Sequence, residues 1–207
     1  MAQLRMVPAT WDDPRQEGLS SSRVLADRVL YYEGDRIYLR PIELADEVAL
    51  RQWMNDPAVR SGLVHQAPLN AARERAWIEA QGTNPQEYHF GIVARSGDRL
   101  IGMVSLIEIH PVNRSAELVI LIGDPEYHGR GFGTEAVRLV VRYGFEEMNL
   151  NRIELGVYAT NPRAIRCYEK AGFVYEGCYR QSLYRQGRYV DEYAYAILKE
   201  DWLKTQA

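Results

Sequence analysis

The chain has 207 residues, 46% of them hydrophobic, and a formal net charge of −3. That is enough for one domain with a real core plus an extension, and the charge lacks the basic excess that nucleic-acid binding needs. Two cysteines and four histidines offer neither a disulfide framework nor metal-ligand spacing, so no metal is expected and a reducing cytoplasm is the expected location. The N-terminus has no apolar run of the about 7 to 15 residues that make a signal peptide, and no stretch approaches the ~18 apolar residues of a membrane span.

Residues 1–27 are polar and irregular and read as an N-terminal extension, with a single domain over 28–207. Two β-rich runs, 28–32 and 36–40, flank Glu33-Gly34-Asp35 and predict a hairpin. Asp46 is placed to cap a helix carrying Val48, Leu50, Trp53 and Met54. Asn70 is placed to cap a second one carrying Trp77 and Ile78, with Gly82 closing it. Strands follow over 89–95 and 100–109 around the turn Ser96-Gly97-Asp98, and then over 116–122. The remainder alternates: a helix over 134–148, a strand over 152–159, and a helix over 162–171 with Asn161 as cap and Gly172 as stop. An antiparallel pair, 173–183 and 189–198, closes the chain around Gln186-Gly187. The order β-αα-βββ-α-β-α-ββ describes a mixed α/β domain on one central sheet.

Between the third of the three central strands and the long helix lies Asp124-Pro-Glu-Tyr-His-Gly-Arg-Gly-Phe-Gly-Thr134. Gly129, Gly131 and Gly133 let the backbone bring its amides close to a ligand, and the following helix N-terminus favours an anion. Arg130 is placed to add a charge-assisted contact. The spacing fits neither G-x-G-x-x-G nor G-x-x-x-x-G-K-[ST], and a glycine turn with no ligand is the competing explanation. From Asn151 to Val190 seven Lys/Arg stand against three acids. This suits a phosphate-bearing ligand, although charge runs are more often a solvated face.

His128-Gly-Arg-Gly-Phe-Gly resembles the Q/R-x-x-G-x-G/A signature of the GNAT superfamily. Asn161-Pro-Arg-Ala-Ile-Arg-Cys-Tyr-Glu-Lys-Ala-Gly-Phe173 is similar to its N-x-x-A-x-x-x-Y-E-K-x-G-F run. The likeness runs from about Ile37 to the C-terminus. It is strongest to the branch holding RimJ/RimL-type protein N-terminal acetyltransferases and spermidine acetyltransferases. His128 departs from the usual Gln or Arg. The resemblance implies the acyl-CoA N-acyltransferase fold, a mixed, mainly antiparallel sheet flanked by helices, with the fourth and fifth strands splayed apart. It implies acetyl-CoA as cosubstrate, no metal, and an acetyl group transferred to a primary amine. By the same resemblance, cofactor contacts fall on Leu121, Ile122 and Gly123, the last permitting a bulge. They continue on His128, Gly129, Arg130, Gly131, Phe132, Gly133 and Thr134, then on Asn161, Ala164 and Arg166. Tyr168 is the implied general acid, since a phenol stays protonated at neutral pH and can donate to a thiolate. Cys167 reads as a small core residue.

The base is open between Glu117, on the strand before the loop, Glu108, and a chain of waters. Protein or peptide N-termini, polyamines and small-molecule amines such as antibiotics compete as acceptors, and a non-catalytic acyl-CoA-binding regulator is the reading from another class. An α-amine is preferred over a polyamine. The stretch from Ser61 to Trp77 carries one acid, Glu74, and otherwise offers Leu63, Val64, His65 and Leu69, while Ser105 stands where a further carboxylate would suit a polycation. A homodimer is the assembly to test, and neither nucleic acid nor membrane is an expected partner.

Overall fold

The computed structural model describes residues 32–60, 62 and 67–206. The N-terminal extension, residues 28–31 of the first predicted strand, and Leu63, Val64 and His65 of the proposed acceptor wall lie outside the described residues.

Strand β1 (Tyr32–Glu33) and strand β2 (Ile37–Pro41) pair antiparallel around Gly34. Helices α1 (Glu47–Asn55), α2 (Pro57–Arg60) and α3 (Ala71–Glu79) follow. Next come β3 (Tyr88–Ala94), β4 (Arg99–His110) and β5 (Ser115–Ile122). The second half is α4 (Phe132–Glu146), β6 (Arg152–Tyr158), α5 (Pro162–Lys170), β7 (Val174–Arg185), β8 (Arg188–Leu198) and α6 (Lys199–Lys204). All eight strands form one sheet in the order β1-β2-β3-β4-β5-β6-β8-β7. The turns expected at Ser96-Gly97-Asp98 and Gln186-Gly187 are present, and both take left-handed backbone at their tips.

The two faces of the sheet are covered differently. Alternate residues Val104, Leu106, Ala116, Leu118, Ile153 and Leu155 meet Val137, Val140 and Val141 of α4 in the main core. Helices α1 and α3 pack on the other face through Leu50, Ile78, Trp53, Trp77 and Met103.

One pairing in the sheet is parallel, β5 with β6, and it spans three residue pairs: Ser115/Arg152, Ala116/Ile153 and Glu117/Glu154. Past these, β5 runs on to Ile122 and β6 to Tyr158 without pairing to each other. With the first hairpin counted as one element, as in the order given above, these are the fourth and fifth strands of the sequence reading, so the expected splay is present.

Asp46, Gly123 and two short helices refine the sequence expectations. The Asp46 carboxylate does not cap α1; it accepts from Arg40 (2.7 Å at each oxygen) and from the Glu43 amide, closing a 3-10 turn over Leu44–Asp46. A bidentate guanidinium is a stronger partner than a helix-end amide. Gly123 lies just past the regular β5–β4 register, which runs from Glu117 to Ile122; its amide and that of Asp124 both donate to the Ile101 carbonyl, two residues against one, and a separate irregularity lies in β4 between Ile107 and His110, where Glu108 has φ 49°. Finally, α2 and α6 were not anticipated, because neither is long enough to show periodicity.

Candidate active site

The end of β5 is anchored before the loop begins. The amides of Gly123 and Asp124 both donate to the Ile101 carbonyl. Asp124 caps the 3-10 turn Pro125–Tyr127 by accepting from the Glu126 amide (3.1 Å), and it pairs with Arg99 (2.7 Å). His128 Nε2 donates to the Ile122 carbonyl (2.7 Å), which fixes the proton on that nitrogen. The side chain at the position of the family's Gln or Arg thus ties the loop back to the strand.

The loop then turns into α4 through left-handed residues, Gly129 (φ 69°) and Gly131 (φ 86°). Gly131 is the N-cap, so the unpaired amides of the first turn of α4 open from a side-chain-free cradle. A brace from the far edge of the sheet sets this geometry. The Arg36 guanidinium donates to the Arg130 carbonyl (2.8 Å) and to Glu135 (2.9 Å), and the Arg36 amide also reaches Glu135 (2.8 Å). Glu135 is an acid in the first turn of α4, and Arg36 neutralises it beside an anion-favouring helix end.

Loop and splay share one cleft of about 650 Å³. Of the expected cofactor residues, Leu121, Ile122, His128, Gly129, Gly131, Gly133, Thr134, Asn161, Ala164 and Arg166 line it, with Tyr168. Gly123, Arg130 and Phe132 do not. The Trp53 indole lies against Gly123, occupying the space a Cβ would need. The Arg130 guanidinium is folded back onto the Glu126 carbonyl (3.1 Å) and over the Tyr127 ring. Phe132 is buried in the core beneath Arg36. Five of the seven cations counted in the sequence, Arg163, Arg166, Lys170, Arg185 and Arg188, line the cleft, and all but Arg185 are also exposed to solvent.

Tyr168 is 7% exposed, and its ring packs in the core against Phe173. Burial holds the phenol well above its ordinary pKa, with the neighbouring Cys167 adding to the effect. No hydrogen bond reaches its hydroxyl among the described residues, yet the side chain lines the cleft. Asn161 caps α5 as expected, accepting from the Ala164 amide (3.1 Å). Cys167 is less buried than a core residue: it lines the cleft and receives a hydrogen bond from Thr134 (3.4 Å).

Glu117 is half-buried at the vertex of the splay. Its pKa is raised, first by burial and then by the charges of Glu108, Glu192 and Glu154. It does not line the cleft. Among the described residues the carboxylate that does is Glu192 of β8, which the sequence reading did not single out. Glu192 lies opposite Tyr158 in the register of β6 and β8, and its Oε1 rests on the bare backbone of Gly156. The available signal was a glycine inside a strand pattern, which marks a close approach.

The acetyltransferase (GNAT) domain family matches residues 36–174. The chain belongs to the GNAT acetyltransferase family. It is similar to the probable N-acetyltransferase YjcK of Bacillus subtilis (strain 168), with 37% identity over 182 residues, 82% of this chain and 97% of the relative. The Spermidine N(1)-acetyltransferase of Escherichia coli (strain K12) is 32% identical over 167 residues, 81% of this chain and 88% of that one. Among solved structures, the spermidine N-acetyltransferase of Vibrio cholerae in complex with CoA and spermine superposes with a TM-score of 0.75. It is 31% identical and covers 81% of this chain and 98% of its own.

Acetyl-CoA is therefore the cosubstrate of this enzyme, as in its family. The residues present suit it: a cation-lined cleft, a helix N-terminus entered through Gly129, Gly131 and Gly133, and β5 and β6 edges that do not pair with each other past Glu117 and Glu154. No group of three or more metal-ligating side chains occurs among the described residues, and none of the helices there is long and apolar enough to cross a membrane.

Proposed function

We propose that the enzyme transfers the acetyl group to a peptide or protein α-amine, with the α4 N-terminus and the Gly129–Gly133 loop holding the pyrophosphate. The supporting observation is the charge of the cleft: five cations line it and, among the described residues, one carboxylate, Glu192. A polyamine needs several carboxylates around it, whereas a singly charged α-amine needs one, and with a pKa near 7.7–8.0 it is partly neutral at physiological pH. Glu74, the acid weighed in the sequence, is buried toward Glu47 and Arg51.

In this reading an unpaired amide of β5 near Leu121 or Ile122 polarises the thioester carbonyl. The nitrogen–carbon bond forms as the carbon–sulfur bond breaks. Tyr168 gives its proton to the departing sulfur and is reprotonated from solvent. The ammonium form of the acceptor sheds two protons in all, one of which replaces that given by Tyr168, so one proton is released per turnover.

A second reading, polyamine acetylation, draws support from the similarity to spermidine enzymes and from Glu108, Glu117 and Glu154, whose charges add to that of Glu192 near the splay. The experiment is acetylation of spermidine against short peptides with free N-termini. Saturable turnover on peptides with silence on spermidine supports the first reading, and the reverse result replaces it with the second.

A further inference from the structure

We infer that Glu192 is the carboxylate that receives the acceptor amine, and that Gly156 is glycine in order to seat it. The inference rests on the acetyltransferase reading, but it does not depend on which primary amine is the acceptor.

Four observations converge on this residue. The cleft wall divides by origin: the phosphate loop, β5 and α5 make one part, while α2 and the turn-proximal ends of β7 and β8 make the other. Glu192 belongs to the second part, in the same cavity as Tyr168. Next, β6 loses its β5 partner after Glu154, and Gly156 is two residues further, on the same face of the strand. A Cβ at 156 would collide with Glu192 Oε1. A bare stretch of β6 at the mouth of the splay therefore carries a carboxylate laid flat across it.

The third observation is that Glu192 is not consumed by another cation. Among the described residues no ion pair involves it, and its hydrogen bond is a long one from Ser182 Oγ (3.4 Å). The nearby guanidinium of Arg185 is directed to the Tyr158 hydroxyl instead. The last observation concerns the competitor. Glu117, the strand glutamate that position alone suggests, stands outside the cleft wall, so an amine bound in the cleft meets Glu192 first.

The chemistry follows from the position. Glu192 pairs with the incoming ammonium and orients its nitrogen toward the splay. It then passes the protons lost from nitrogen to solvent through the open side of the cleft, while Tyr168 serves the sulfur. Charge neutralisation at nitrogen and proton donation to sulfur belong to different side chains.

The test compares E192Q, E117Q and G156A by steady-state kinetics with the best acceptor from an amine panel. Calorimetry of acetyl-CoA serves as the control for folding. E192Q is expected to lower kcat/KM for the amine by about a hundredfold or more with acetyl-CoA affinity unchanged. G156A is expected to give a loss of the same kind by displacing the carboxylate. Binding of the same amine in the presence of free coenzyme A, which needs no turnover, is expected to weaken at least tenfold in E192Q. Activity of E192Q within threefold of wild type, or a larger loss in E117Q than in E192Q, overturns the assignment. A wild-type protein that acetylates no amine overturns the proposed reaction instead, and the coenzyme A binding comparison still judges Glu192.

Discussion

Arg36 and Glu135 stand 99 residues apart in sequence and are joined through both the backbone amide and the guanidinium of the arginine (2.8 and 2.9 Å). The pair fixes the start of α4 to the second strand of the sheet, and the same guanidinium holds the Arg130 carbonyl. Removing the brace leaves an unneutralised acid beside the proposed pyrophosphate site. Arg36→Ala is expected to weaken acetyl-CoA binding about tenfold, roughly 1.4 kcal/mol, and adding Glu135→Gln should recover part of the loss. Calorimetry on the two variants decides the matter. An unchanged affinity in Arg36→Ala would remove the brace from the binding site.

Tyr168→Phe keeps the buried ring and loses the proton. Turnover is expected to fall about a hundredfold with acetyl-CoA affinity hardly altered. Near-wild-type turnover would return the residue to a packing role.

The same phenol carries a signature in alkaline stability. Burial raises its folded-state pKa above the value of about 10 that it has in the unfolded chain. The stability linked to it is thus fully present below about pH 10 and is lost as pH rises toward the folded value. The melting temperature of wild type should drop relative to Tyr168→Phe on going from pH 9 to pH 11, and parallel curves would count against it.

Glu117 has the same sign with a different window. Its pKa is raised in the fold by burial and three neighbouring acids, so its protonated form is favoured there. The linked stability is complete below the unfolded pKa of about 4.3 and is lost as pH rises through the folded one. Glu117→Gln should therefore be more stable than wild type at pH 7, with an advantage that shrinks toward pH 4. Denaturant midpoints at the two values measure it, and an advantage that grows at low pH would show the sign to be wrong.

Gly123→Ala places a methyl group inside the Trp53 indole. Overpacking of this kind costs about 1–3 kcal/mol. Urea unfolding should show that loss, and pairing the change with Trp53→Ala should remove most of it.

The sequence was informative wherever one residue commits the local backbone. Asn161, Gly172 and the two hairpin turns appear where they were expected, because a cap or a left-handed turn is decided within a few residues. The loop was legible for the same reason, since its glycines and the following helix make a complete local device. What depends on partners distant in sequence was not legible. Asp46 looked like a cap until Arg40 claimed it. Gly123 read as a place where a strand bends, and the Trp53 indole that lies on it gave no sign in the motif. Glu192 drew no notice because its relation to Gly156 exists only in the register of β6 against β8. Arg130 read as a phosphate ligand because of its place in the motif, but the rings of Tyr127 and Phe132 hold it elsewhere.

The join between β5 and β6 spans three residue pairs in a sheet of eight strands. Mechanically, the molecule is two blades sharing a short hinge, one carrying β1 to β5 and the other β6, β8 and β7. A ligand whose amide-bearing arm lies along both free edges would act as a rivet between the blades, so its binding energy would resist their separation. Amide hydrogen exchange reads this directly. Protons on Leu118–Ile122 and Leu155–Tyr158 should exchange more slowly with acetyl-CoA bound, and those in the β3–β4 ladder should change little.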